Sequence, residues 1–235
     1  MTTFVLVPGA WLGAWAWADV ARRLTDAGHE VHAVTLPGLA ERADEAPAAS
    51  IDLSTHVEDV LARLDRLGLR DVTLVVHSYA GVVGGVVADR APERLARVVY
   101  VATRPVPDGM SLFDRLGPEG EQGVRGLAAA AGDPDRFPVL PDDLLDLYYP
   151  GHGLTGGVLA RFRRLATPHP IAAQAERVKL SGAGDRVPRT MLWCTADGPA
   201  PVAAGTPGWT YRELPAGHWP MLTVPDLLAE ALLAE

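Results

Sequence analysis

Three side chains of the types that can turn a hydroxyl into a nucleophile lie far apart along the chain: Ser78, Asp197 and His218. At neutral pH a serine hydroxyl cannot attack unless a base takes its proton, and the base needs an acid to orient it. Ser78 stands within residues 72–83, VTLVVHSYAGVV, where a strand-like apolar run gives way to a helix-like one. A sharp turn between two such elements lifts the hydroxyl above a sheet and points the N-terminus of the next helix at it. Small residues flank turns of this kind because the chain passes close to itself. The usual spacing is Gly-x-Ser-x-Gly. Here Val76 and Ala80 take the glycine positions and Gly81 follows, so the pattern is degenerate. A serine at a strand-helix turn is otherwise a helix cap, and its distant partners must decide.

Those partners are present. Residues 191–197, MLWCTAD, read as a strand ending in an acid at its carboxyl end, and residues 214–219, LPAGHW, place a histidine in a loop before the last helix. On scaffolds that present a serine at such a turn, the acid follows it and the histidine comes last. Loops at the carboxyl ends of parallel strands are also where ligands collect. Ser78 is therefore the expected nucleophile, His218 the base and Asp197 the acid. The oxyanion formed in acyl transfer needs two backbone N–H donors. Tyr79, directly after the serine, supplies one. The loop after the first strand, Pro8-Gly9-Ala10-Trp11, supplies the other, with Gly9 permitting the turn and Ala10 donating. Pro8 lacks an N–H but precedes the donor.

The elements that must hold these residues follow from periodicity. Residues 4–7 form a continuous apolar run, the pattern of a strand covered on both faces. Residues 11–24 predict a helix closed by Gly28, and residues 30–36 a strand turned by Pro37-Gly38. Thr55 with Glu58 reads as a capping box, followed by apolar residues at helical spacing to Gly68. Residues 72–76 predict a strand, 81–88 a helix and 98–102 a strand. From 104 to 186 the rhythm changes: Pro, Gly and Asp are dense, and the helical pieces at 142–147 and 158–165 are short. Residues 191–195 predict the returning strand and 227–233 a closing helix. The expected fold class is α/β, a mostly parallel sheet with helices on both faces. Residues 1–103 and 187–235 form its core, and 104–186 a helical lid insertion.

Composition narrows the function classes. The 235 residues can bury one full core. At 48% hydrophobic and 21% charged, the chain is an ordinary globular protein. A formal net charge of −8 argues against nucleic acid or an anionic membrane as partner. Lys179, the only lysine, has no preceding glycine, which excludes a phosphate-binding Gly-Lys loop and disfavours Schiff-base chemistry. The single cysteine, Cys194, excludes an internal disulfide. The stretch 72–88 is short for a membrane span and carries His77, Ser78 and Tyr79, so it reads as a buried strand entering a buried helix. No basic segment precedes the run at Phe4, so no secretory leader is expected. These features imply a cytoplasmic protein acting on a small-molecule substrate without cofactor or metal; a homodimer is left open.

Taken together, the motifs resemble one branch of the α/β-hydrolases: the plant methylesterases and hydroxynitrile lyases with their bacterial esterase relatives. Residues 4–17, FVLVPGAWLGAWAW, resemble the branch's opening VHGAWHGAWCW; His77-Ser78-Tyr79-Ala80-Gly81 resembles its HSYGG. Residues 216–222 with Pro225 resemble its closing histidine motif. Tyr148-Tyr149 and Thr167-Pro-His-Pro170 fall where its cap has comparable features. The resemblance implies an α/β-hydrolase core with a lid, and the same assignments for Ser78, Asp197, His218, Ala10 and Tyr79. Pro8 replaces a usual His, Val76 a usual Gly, and the segment from Asp197 to His218 is short for the branch. Lyase members carry Thr or Asn at the position of Gly9, and some a lysine after the catalytic histidine; Gly9 and Trp219 here resemble the esterase pattern. The implied chemistry is hydrolysis of a carboxylic ester or thioester through an acyl-enzyme on Ser78. A lyase, cyclase or lactone-forming enzyme on the same scaffold, or a small-molecule binding protein, is the alternative, since this scaffold hosts many chemistries.

Trp11 and Trp219 are expected to flank the nucleophile, either as packing under the lid or as walls of an apolar, aromatic-accepting pocket. Arg104, after the strand at 98–102, either reaches the mouth of the site or forms a surface ion pair. His29, His32, His56, His152 and His169 are not expected to gather, and His77 points into the fold.

Overall fold

Short apolar, β-branched runs alternate with helices, and the computed structural model describes residues 1–201 and 204–235. The first half contains β1 (Thr3–Val7), α1 (Ala18–Asp26), β2 (Glu30–Ala33), α2 (Leu53–Arg66), β3 (Val72–His77), α3 (Ala80–Arg90) and β4 (Leu95–Val101). Next come α4 (Leu112–Ala130), β5 (Arg136–Phe137), α5 (Asp142–Tyr148), α6 (Gly156–Leu165), β6 (His169–Pro170) and α7 (Ala172–Ala175). The chain then runs through β7 (Arg189–Cys194), β8 (Trp209–Leu214), α8 (Pro220–Thr223) and α9 (Pro225–Leu233).

Among the described residues the main sheet has the order β2-β1-β3-β4-β7-β8, and every neighbouring pair is parallel. Parallel strands are covered on both faces, and the side chains divide accordingly. Val5, Val7, Leu74, Val76 and Tyr100 pack into one core layer with α2 and α3. Phe4, Leu6, Val75, Val99 and Leu192 enter the other with residues of α1 and α9. Each buried Val or Leu stabilises by ~1.5–3 kcal/mol relative to exposure. Residues 72–89 are buried throughout except Ser78 and Gly85, as a central strand running into a core helix requires.

The chain order reverses between β1 and β3, which lie side by side. The crevice beyond their carboxyl ends is the switch point where α/β folds take ligands. Both the loop after β1 and the turn at Ser78 open there. Between β4 and β7 the chain leaves the sheet to form α4 to α7 and the small antiparallel pair of β5 and β6.

Three local expectations need correction. The segment 11–24 is not one helix: a 3-10 turn at Ala14–Trp17 precedes α1, because Trp11 adopts φ 69° and Gly13 is extended. The cap of α2 is Asp52, not Thr55. The Asp52 carboxylate accepts from the Thr55 N–H at 2.8 Å, and the Thr55 hydroxyl closes the box. The strand predicted over 30–36 ends at Ala33.

Candidate active site

Ser78 leaves β3 at φ 50°, a left-handed conformation that a side-chain-bearing residue keeps only under constraint. The constraint comes from both sides. Its N–H donates to the Val101 carbonyl at 3.2 Å, and the first turn of α3 closes with the Gly81 N–H on the Ser78 carbonyl at 3.0 Å. Gly81 must be small: a Cβ there would stand 2.5 Å from Thr103 Oγ1 and 2.8 Å from the Arg104 carbonyl. Val76, in place of the usual glycine, is accommodated from the helix side. Gly84 packs on it so closely that a Cβ on residue 84 would lie 2.7 Å from a Val76 methyl. The glycine that relieves the elbow has moved from strand to helix.

The structure brings the three separated side chains together. The Ser78 hydroxyl lies 2.9 Å from His218 Nε2, and His218 Nδ1 lies 2.8 Å from Asp197 Oδ2. With Nδ1–H donating to the carboxylate, Nε2 is the acceptor for the serine proton. Asp197 occupies a 3-10 turn directly after β7, tied to the histidine loop by the Ala196 N–H on the Ala216 carbonyl at 3.2 Å. The His218 loop is held from below by His77, whose Nε2–H donates to the His218 carbonyl at 2.7 Å. Burial and the neighbouring His218 hold the His77 pKa well below its ordinary value, so His77 is a neutral strut. Gly217 is a further requirement: a Cβ there would stand 2.4 Å from the Gly151 carbonyl and 2.6 Å from the His152 backbone. The segment between β4 and β7 therefore packs directly on the histidine loop.

Ala10 and Tyr79 line the same cavity as Ser78, and among the described residues no loop or turn hydrogen bond engages either backbone N–H. Gly9 permits this approach, since a Cβ on it would sit 2.8 Å from the Ser78 Cβ. Trp11 anchors the loop to the segment beyond β4. Its indole N–H donates to the Phe137 carbonyl at 3.3 Å, and its own carbonyl accepts from the Thr167 N–H at 2.9 Å.

Ser78, Ala10, Tyr79, Trp11 and His218 share one cavity of about 710 Å³, a size suited to a small organic molecule. Its opposite wall is one face of α4, including Leu116, Gly120, Gly123 and Leu127, with Tyr149 from the end of α5. The Tyr149 ring lies 4.6 Å from that of His218, and burial pushes its pKa up to about 12, so it remains a neutral wall. Trp219 does not line this cavity. It is 1% exposed and packs beneath His218 against Tyr149 and Phe162, because α8 starts at residue 220 and turns its ring into the core. The expectation that it walls the substrate pocket is corrected: it is a backstop for the histidine.

Two other histidines do gather, contrary to expectation. His56 and His169 lie 5.9 Å apart, with the Tyr79 ring 4.3 Å from His169. His56 Nε2–H donates to the Pro37 carbonyl, so its Nδ1 accepts the Tyr79 hydroxyl at 2.8 Å. Burial lowers the His56 pKa to about 4. The pair supports the Tyr79 side chain beneath the elbow. Among the described residues no group of three or more His, Cys, Asp or Glu side chains converges as metal ligands would. No described helix is long and apolar enough to cross a membrane.

A profile of the alpha/beta hydrolase family matches residues 4–231. The chain belongs to this family. A carbendazim hydrolyzing esterase from Nocardioides sp. is 33% identical to this hydrolase over 249 residues, covering 100% of this chain and 99% of that protein. Methylesterase 7 of Arabidopsis thaliana is 38% identical over 105 residues, 42% of this chain and 38% of that protein. Among solved structures, an extracellular alpha/beta-hydrolase from a Paenibacillus species superposes with a TM-score of 0.86 at 22% identity, covering 100% of this chain and 98% of that one. That protein is described as sharing structural and functional homology with tobacco salicylic acid binding protein 2.

Against that background, several residues of the site carry no motif of their own. His77 and Gly217 stand beside recognisable residues, and their roles depend on contacts between distant segments. Arg115 and Gln174 also line the cavity, and only the course of the chain after β4 could reveal it.

Proposed function

We propose that this hydrolase cleaves carboxylic esters of small apolar or aromatic molecules through an acyl-enzyme on Ser78. The observation that carries the reading is the continuous line from the Ser78 hydroxyl through His218 to Asp197, at 2.9 and 2.8 Å, beside a cavity that Ser78 and His218 share with Ala10 and Tyr79.

In the first half-reaction Ser78 Oγ attacks the ester carbonyl while its proton passes to His218 Nε2. Asp197 orients the imidazole and stabilises its positive charge. The carbonyl oxygen becomes an oxyanion facing the Ala10 and Tyr79 N–H groups, whose fixed dipoles act strongly in a dry site. His218 then returns the proton to the departing alcohol. Water repeats the sequence on the acyl-enzyme and restores Ser78 as the acid leaves. Trp11, Tyr149 and the leucines of α4 give one part of the cavity an apolar wall suited to an aromatic group, and residues 104–186 serve as its lid. A thioester fits the same steps. Cys194, buried and unpaired, suits a reducing compartment such as the cytoplasm.

The test is a panel of aryl and alkyl esters and thioesters assayed with the wild type, Ser78→Ala and His218→Ala. Loss of turnover in both variants is expected. Activity surviving in Ser78→Ala and lost only in His218→Ala would overturn the acyl-enzyme and point to base chemistry of the lyase kind.

A further inference from the structure

The lid side of the cavity carries positive charge with no counter-ion assigned to it. Arg104 and Arg115 both line the space above Ser78. Arg115, on α4, donates from Nη1 to the Arg104 carbonyl at 2.9 Å, which fixes one edge of its guanidinium. Among the described residues neither arginine has a carboxylate within 4.0 Å, although most arginines of this acidic chain do. The alternative of a surface ion pair for Arg104 is thus not realised. Burial and the adjacent Arg104 charge push the Arg115 pKa down to about 10, so it still carries its proton at neutral pH.

A half-buried guanidinium with spare donors is costly unless an acceptor arrives. Its planar fork matches a carboxylate in two parallel hydrogen bonds. Gln174 adds a second signal. It is 3% exposed, it lines the same cavity, and its side-chain amide has no partner among the described residues. Polar groups are rarely buried without one. The one acid on the cavity wall is Glu119, four residues after Arg115 and beyond the break in α4 at Gly117, and it forms no ion pair with either arginine. The wall is left with a net positive charge inside a chain whose formal charge is −8.

We propose that Arg115, with Arg104 and the Gln174 amide, receives a free carboxylate at the end of the substrate remote from the reacting ester. The substrate class is then an ester that also carries an acid, such as the half-ester of a dicarboxylic acid. The inference rests on the ester-hydrolase reading above for its chemistry, and on the cavity wall alone for its selectivity.

The experiment compares mono(4-nitrophenyl) succinate, glutarate and adipate with the same compounds capped as methyl esters, following nitrophenol release. For at least one chain length the free acid is expected to exceed its capped partner in kcat/KM by tenfold or more. Raising the salt from 50 to 500 mM should shrink that ratio, because screening weakens the contact. Arg115→Gln should cut the ratio at least fivefold, and Glu119→Gln should raise it; a ratio cancels any general loss of folding or turnover. Calorimetry of free adipate with the Ser78→Ala protein separates the two readings. Carboxylate binding that Arg115→Gln weakens, beside a wild type that turns over no ester, would sustain this inference and overturn the hydrolase. Equal or lower kcat/KM for every free acid, or a ratio indifferent to Arg115→Gln, would overturn the inference itself.

Discussion

The two halves of the site are built on opposite plans. The sheet-borne half, comprising Ser78, His218, Asp197 and the loop at Gly9-Ala10, is fixed by redundant contacts: a left-handed serine, glycines packed against backbone, and a histidine strut reaching across from His77. The other half is a wall formed by α4, in the segment between β4 and β7. Along α4, Gly117, Gly120, Gly123 and Gly126 punctuate the sequence, Pro118 follows a break at Gly117 (φ 77°), and a Cβ on Gly123 would meet nothing within 4 Å. Chemistry tolerates little displacement, so its residues are over-determined. Substrate choice can vary, and its wall contains unfilled space and unpartnered side chains. If that contrast is right, damage to the first half should abolish turnover, whereas changes to the second should only redistribute it among substrates.

The largest effect is expected at the proposed nucleophile and its acid. Ser78→Ala should lower kcat by at least about 10³-fold, and Asp197→Asn by about 10²–10⁴-fold, with far-UV circular dichroism unchanged. Next comes Gly217→Ala, which places a methyl group within the space of the Gly151 carbonyl. His218 must then move, and a shift of about 1 Å costs ~10²-fold. Steady-state kinetics should show the fall in kcat for all esters alike, which would mark it as a defect of the machinery. Gly123→Leu should do the reverse. It fills the α4 side of the cavity, lowering kcat/KM for bulky aryl esters about tenfold while acetyl esters change little. Equal losses for both would erase the distinction between the two halves.

The smallest effect is on stability and sharpens the picture of how the elbow is supported. With a folded pKa near 4 against an ordinary 6.5, His56 refuses a proton that the unfolded chain accepts. Its contribution is complete above pH 6.5 and is lost as the pH falls toward 4, at up to about 1.4 kcal/mol per pH unit. Urea unfolding at pH 7 and pH 5 should therefore show a shallower decline for His56→Gln than for the wild type.

The sheet-borne half was largely legible in the sequence, and the segment between β4 and β7 was not. Strands buried on both faces leave continuous apolar runs, and the serine, acid and histidine each sit at the end of such a run or beside the last helix. Helix α4 leaves little trace in the sequence because its four glycines and Pro118 read as loop, although packing over the cavity overrides their low helical propensity. β8 is also hidden in the sequence: its alternating residues, WTYREL, lie on the exposed edge of the sheet and lack a continuous apolar signature. Trp219 shows the limit of adjacency. Standing next to His218 in sequence, it points the other way, since consecutive residues entering a helix turn toward different surroundings. The pairing of His56 with His169 had no local trace, because it exists only once β6 folds back over α2.

The central claim is that one hydroxyl is activated by two partners brought from distant parts of the chain. Reaction with a fluorophosphonate followed by peptide mass spectrometry tests it directly. A single adduct on Ser78 is expected in the wild type, forming at least a hundredfold more slowly in His218→Ala. An unlabelled Ser78, or labelling at the same rate without the histidine, would contradict the account.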